Sequence, residues 1–303
     1  MIKLTDVTLR DGLQSDPVSL STQQKLEVFE ALQACHYNRL EITSFSHPKW
    51  IPQLADSDSF CEELFKLRKD FATELMAFVP NERGLERLLK FPIPWVSLFI
   101  AASESFNQKN INCPRQQTLN ELRALIQKAH ANQRKVRVYI STAFGCPYEG
   151  AVSEDTVQDL TEKVLGLSPD EIALSDTIGV ANPIQVKSIL GKIAPKCALD
   201  RIALHFHDTY GLALSNIVAG IEMGITRFDG ATGGIGGCPY AKGASGNVAT
   251  EAIAYLLNRL GHKNQVHWGS IKNTLQLLRQ LGLQVESKLA AVEARGGNLY
   301  GIQ

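Results

Sequence analysis

Short β-branched, apolar runs alternate with longer amphipathic stretches along the whole chain, and this alternation constrains the fold more than any other feature. The runs at Ile2–Leu9, Arg39–Thr43, Thr73–Val79, Trp95–Ile100, Lys135–Ser141, Glu171–Leu174, Arg201–His205 and Thr226–Ala231 read as strands. Between them, segments such as Thr22–Cys35, Thr118–Asn132, Glu154–Leu165 and Leu212–Met223 place apolar residues at helical spacing. Ser21, Ser153 and Asn182 before Pro183 supply side chains suited to capping helix N-termini. A strand–helix unit repeated about eight times predicts parallel strands joined by right-handed crossovers. The expectation is an α/β fold, a (β/α)8 TIM barrel; a doubly wound open sheet is the alternative, which this strand count suits less well. After the eighth strand, Val248–Leu260 reads as the last barrel helix and Ser270–Leu281 as a short helical appendage. The chain is thus expected to form one domain over 1–303, with the barrel over about 1–260 and the C-terminal extension over about 261–303.

Charge narrows the partners. Lys plus Arg equals Asp plus Glu at 31 each, and no like-charge block stands out, so neither nucleic acid nor an anionic membrane is favoured. The six cysteines are scattered without a C-x-x-C pair, which argues against a zinc ribbon or a disulfide framework and fits a reducing compartment. No charged leader with an apolar core precedes Ile2, and no apolar run is long enough to span a bilayer, so a cytoplasmic location is expected.

In such a barrel, functional groups collect at the C-terminal ends of the strands. Those ends carry Arg10 and Asp11 after the first strand, Glu41 and Ser44 at the second, Asp176 after the sixth, and His205 and His207 at the seventh. Two histidines two apart on a strand point the same way and can grip one cation. After the eighth strand comes Gly233-Gly-Ile-Gly-Gly-Cys-Pro-Tyr-Ala-Lys-Gly-Ala-Ser-Gly-Asn247. Asp11, His205, His207 and Asn247 offer two oxygen-type and two imidazole ligands and no thiolate, a set that favours Mg²⁺ or Mn²⁺ over structural zinc. Arg10 is either an ion-pair partner of Glu41 or Glu251, or a permanently charged donor aimed at an oxygen that gains negative charge. The glycine-rich stretch lacks the Gly-Lys-Ser/Thr ending of a phosphate loop and suits a mobile lid with Cys238 at its tip. Cys238 there is a candidate proton donor or acceptor, with a small buried apolar residue as the ordinary alternative.

Collected in order, these stretches resemble the 3-hydroxy-3-methylglutaryl-CoA lyases, a family of metal-dependent barrel enzymes. The matching segments are Thr8-Leu-Arg-Asp-Gly-Leu-Gln14, Leu40-Glu-Ile-Thr-Ser-Phe45 with Pro48-Lys-Trp50, and Asn110-Ile-Asn-Cys113. They continue with Gly145-Cys-Pro-Tyr-Glu-Gly150, Ser175-Asp-Thr-Ile-Gly-Val180, His205-Phe-His-Asp-Thr-Tyr-Gly211 and Gly236-Gly-Cys-Pro-Tyr-Ala-Lys-Gly-Ala-Ser-Gly-Asn247. The related condensing synthases carry acidic and basic residues in place of Cys-Pro-Tyr and usually add a C-terminal regulatory domain.

The resemblance implies a carbon–carbon lyase that cleaves 3-hydroxy-3-methylglutaryl-CoA to acetoacetate and acetyl-CoA, late in leucine breakdown. It implies metal ligands at Asp11, His205, His207 and Asn247, with Arg10 steadying the thioester enolate and Cys238 taking part in proton transfer. His205 and Cys238 are both candidates to protonate the enolate carbon. Glu41 and Asp176 look like further site residues, Glu251 a supporting one, and a homodimer is the implied assembly. The first strand, Asp6-Val-Thr-Leu-Arg-Asp-Gly12, is nearer the wider superfamily signature, and Ser15-Asp-Pro-Val18 replaces the more familiar Asn-Glu with a basic residue close by. A longer-branched 3-hydroxyglutaryl-CoA, a Claisen-type condensation of an oxoacid with acetyl-CoA, and a non-catalytic CoA- or metal-binding protein are the other readings. The last would be expected to lack a metal or proton-transfer group, and none is missing.

Overall fold

A computed structural model describes residues 1–236 and 246–294; Cys238 and the rest of 237–245 lie outside the described residues. Eight parallel strands close on themselves in chain order: β1 (Lys3–Asp6), β2 (Arg39–Ser44), β3 (Glu74–Phe78), β4 (Trp95–Ala101), β5 (Lys135–Ser141), β6 (Glu171–Asp176), β7 (Ile202–Phe206) and β8 (Arg227–Gly230). Closure runs from Lys3 opposite Arg227 to Asp6 opposite Gly230. The expected barrel is therefore the observed one.

The helices run in chain order as α1 (Thr22–Gln33), α2 (Ser57–Leu67), α3 (Glu82–Leu88), α4 (Glu104–Ile111), α5 (Arg115–Ala131) and α6 (Glu154–Leu165). They continue as α7 (Pro183–Ile193), α8 (Ala213–Glu222), α9 (Thr250–Arg259), α10 (Trp268–Gln280) and α11 (Lys288–Ala294). The expected caps are present: Ser21 accepts from Gln24 N in a reciprocal capping box, Ser153 accepts from Thr156 N, and Asn182 from Ile184 N and Gln185 N. The appendage folds back on the barrel. Thr274 of α10 donates to Ala31 O on α1 at 3.1 Å, and Glu286 N and Ser287 N both reach Gly233 O, at 3.0 and 3.2 Å.

Alternation along the strands sorts two environments. Leu40, Val96, Leu98, Val138, Leu174, Leu204 and Phe228 are buried in one continuous apolar layer with the helices. The intervening positions hold charges that meet across the barrel. Arg39 on β2 donates to Glu171 on β6 at 2.9 Å, and Arg137 on β5 donates to both oxygens of Asp229 on β8, at 2.8 and 2.7 Å. Neither pair joins neighbouring strands, so both cross the interior. Ala173 and Ala203 leave room there for Tyr139.

The first strand ends three residues before the expected Leu9. Gly12 N bonds to Val7 O at 3.1 Å, closing a π-helical turn over Thr8–Gly12, so Arg10 and Asp11 stand on a tight turn and not on a strand end. The buried Asp6 anchors this end of the strand. It accepts from Thr8 N, and its other oxygen takes Thr232 N, Thr232 Oγ1 and Thr250 Oγ1 at 2.7 to 3.0 Å. Gly12 is needed where it stands, since an added Cβ would lie 2.8 Å from Ile235 Cγ1. A register shift in β2 between Glu41 and Thr43 hands Thr43 to Ser57 of α2, at 2.8 Å, while Glu41 stays inside.

Candidate active site and metal centre

At the barrel mouth the π-turn, β7 and the return from the glycine-rich stretch converge. Asp11, His205 and His207 each offer a ligand atom, and these atoms lie within 4.8 Å of one another. The two histidine rings face one way from β7 and its end, their centroids 5.3 Å apart. Asn247 joins them through an antiparallel bridge to His207, its Nδ2 donating to Asp11 Oδ2 at 2.8 Å. His207 Nε2 stands 3.5 Å from the same oxygen. Burial alone would raise the Asp11 pKa, but the Arg10 guanidinium and the two histidines hold it well below the usual carboxylate range. The Asn247 Oδ1 is buried with no hydrogen-bond partner among the described residues. A buried acceptor without a donor is costly, and a cation held by this hard, mixed oxygen–nitrogen set would satisfy it. The donor set thus fits a divalent cation.

Arg10 lies between this cluster and the barrel interior. Its Nη1 donates to Asp11 Oδ1 and its Nε to Glu41 Oε2, both at 2.5 Å, and the guanidinium stacks on Tyr139 and Phe78, 5.1 and 5.5 Å from their centroids. Burial opposes its charge; Glu41 and Asp11 more than offset this and raise its pKa. The Glu41 partnership is the ion pair weighed as the structural alternative, and Glu251 is not part of it. Glu41 is in turn held by the Ser97 hydroxyl and by Tyr139 Oη at 3.1 Å.

Asp176 and Ser44 stand differently. Asp176 is fully buried, and its two carboxylate oxygens accept from Val180 N and Ala181 N at 2.9 and 3.0 Å, shaping its own loop. Burial pushes its pKa up to about 6 against those amide bonds. The Ser44 hydroxyl meets Ser46 Oγ at 2.7 Å, and no hydrogen bond joins it to the Asp11 cluster among the described residues. Glu251 sits behind the site: its Oε2 accepts from Gly233 N at 3.0 Å. Beneath His205 lies Asp229, whose Oδ2 is 3.2 Å from His205 Nδ1. Asp229, Tyr139 and Ser97 were not among the expected site residues. Their signal was faint: polar residues at inward positions of otherwise apolar strands.

Residues 1–278 match the HMGL-like family model. The chain belongs to the HMGL-like family. Within the family it is 42% identical to a hydroxymethylglutaryl-CoA lyase of Bacillus subtilis over 265 residues, 88% of each chain. It is 38% identical to a 3-hydroxy-3-isohexenylglutaryl-CoA/hydroxymethylglutaryl-CoA lyase of Pseudomonas aeruginosa over 268 residues, 88% of this chain and 87% of the relative. Among solved HMGL-like structures, an HMG-CoA lyase from Acinetobacter baumannii in complex with coenzyme A and 3-methylmalate superposes with a TM-score of 0.91 at 31% identity, covering 100% of this chain and 97% of that one.

Proposed function

We propose that this chain is a divalent-cation-dependent lyase that cleaves 3-hydroxy-3-methylglutaryl-CoA to acetoacetate and acetyl-CoA. The observation that carries the reading is the convergence of Asp11, His205 and His207 within 4.8 Å beside a fixed Arg10, in a member of the HMGL-like family. Coenzyme A in the Acinetobacter structure supports an acyl-CoA substrate.

Asp11, His205, His207 and Asn247 would hold the ion, Mg²⁺ or Mn²⁺ by the hardness of the set. When bound, such an ion lowers the pKa of a tertiary hydroxyl enough for deprotonation near neutrality. With the hydroxyl proton passed to solvent water, the C2–C3 bond would break, the alkoxide oxygen closing the new ketone and the bond's electron pair becoming the enolate of the departing thioester. Arg10 answers the charge on that thioester oxygen, and Glu41 holds Arg10 in place for it. The enolate carbon must take a proton, and Cys238 is the proposed source. A cytoplasmic homodimer working in leucine degradation is the accompanying expectation; no helix among the described residues is long and apolar enough to cross a membrane.

The test is acetyl-CoA release from 3-hydroxy-3-methylglutaryl-CoA with Mg²⁺ or Mn²⁺ and after exhaustive chelation. Turnover that survives chelation sinks the metal reading. The double-named Pseudomonas relative favours one further substrate class, thioesters with a longer C3 branch. A branch-size series decides it: kcat/KM that rises with branch length makes the longer thioester the substrate. Cys238→Ser should lower kcat by about two to four powers of ten with Mn²⁺ affinity unchanged; wild-type turnover removes Cys238 from the proton path.

A further inference from the structure

We infer that Asp229 is the positioning residue for His205, fixing the imidazole with its proton on Nδ1 and its lone pair on Nε2 turned to the cation cluster. The inference rests on the metal reading above and deepens it. The two residues stand opposite one another in neighbouring strands, His205 on β7 and Asp229 on β8, so backbone register sets their approach. Asp229 Oδ2 lies 3.2 Å from His205 Nδ1. An ionised carboxylate can only accept, so a hydrogen bond here places the proton on Nδ1. Tyr139 packs edge-on against the same ring, with centroids 5.9 Å apart, and narrows its rotation.

Asp229 is itself immobilised. Arg137, fully buried, donates through Nη2 to both its oxygens at 2.8 and 2.7 Å. Arg137 Nε is 3.3 Å from Glu171, which Arg39 and Arg227 also hold at 2.9 and 3.1 Å. The line Glu171, Arg137, Asp229, His205 thus runs from the barrel floor to its mouth, every charge paired. Outer carboxylates of this kind orient metal-bound imidazoles, and their loss typically weakens metal affinity about 10–100-fold. With Nδ1–H given to Asp229 and Nε2 given to the ion, His205 has no proton to deliver to the enolate.

The test compares wild type with Asp229→Asn and with the double variant Asp229→Asn/Arg137→Gln, each without metal and titrated with Mn²⁺. Long-range ¹H–¹⁵N correlations, with His205 assigned by a His205→Gln variant, read the tautomer directly. Wild type should show the proton on Nδ1, and both variants should mix the tautomers and bind Mn²⁺ about 10–100-fold more weakly. The double variant separates positioning from charge balance. Removing both charges leaves Glu171 still paired with Arg39 and Arg227, so thermal stability should recover while Mn²⁺ affinity does not. If Asp229→Asn fails to fold, the double variant decides alone. Wild-type protein with its proton on Nε2, or a double variant with wild-type Mn²⁺ affinity, overturns the inference. Wild type that binds no Mn²⁺ sinks the metal reading instead, and the tautomer measurement on the metal-free protein still judges Asp229.

Discussion

Arg10 donates through Nε to Glu41 Oε2 at 2.5 Å, across from the π-turn to the second strand. The same guanidinium holds Asp11 through Nη1, so one planar cation joins the ion-binding cluster to a carboxylate anchored by Ser97 and Tyr139. Its rigid fork suits two anions at once, which a lysine ammonium does not. Arg10→Lys and Arg10→Met should therefore each lower kcat on 3-hydroxy-3-methylglutaryl-CoA by about two to three powers of ten. Glu41→Gln should lower kcat less, because Arg10 stays but loses its anchor. Steady-state kinetics checks both; an Arg10→Lys variant with wild-type kcat contradicts this role.

His207 tests the ion site without appeal to turnover. His207→Ala should weaken Mn²⁺ binding by at least about tenfold, while the cost in stability stays near the 1–2 kcal/mol usual for a single substitution. Isothermal titration with Mn²⁺, paired with denaturant unfolding, reads the two separately. A loss of stability with intact Mn²⁺ affinity assigns His207 to packing.

Gly179 lies in the loop that Asp176 shapes, at a φ of +71°, and an added Cβ would meet Thr209 at 2.6 to 2.8 Å, its backbone N included. Both the dihedral and the contact oppose any side chain. Gly179→Ala should cost about 1–3 kcal/mol. Urea unfolding measures it, and a loss within experimental scatter of zero refutes the close approach.

Glu251 makes stability depend on pH. Burial raises its pKa above the ordinary 4.5, against the bonds from Ser287 and Gly233 N. A carboxyl raised in this way contributes its full stability below the unfolded value and loses it as pH rises through the folded one. Glu251→Gln removes that loss while keeping an acceptor for Gly233 N. The Tm of the variant relative to wild type should therefore climb as pH rises above the ordinary carboxyl value of 4.5; a difference that stays constant with pH rejects the assignment.

The barrel could be read from the sequence because strand alternation and helix period both report burial directly. Strand ends agreed to within a residue or two wherever the stop was local: Lys135–Ser141 is found as expected. The first strand failed because its stop is not local, since Asp6 takes its partners from Thr232 and Thr250. The Asp11, His205 and His207 cluster could be read because a barrel sends its strand ends, and the residues just after them, to one mouth, although Asp11 reaches it from the π-turn. Asp176 fits that rule too, yet its oxygens are engaged by Val180 N and Ala181 N, a choice set by loop conformation. Arg137, Glu171 and Asp229 went unread, because each is one charge in an otherwise apolar run and only the closed sheet says which charge meets which.

Glu286 and Ser287 clasp the carbonyl of Gly233, just where the chain leaves the barrel toward the segment that carries Cys238. The tail is therefore a buttress for the doorway as well as a cover for α1. A lesion at Glu286 or Ser287, distant from every proposed ligand, therefore loosens Gly233, whose amide also reaches the buried Glu251.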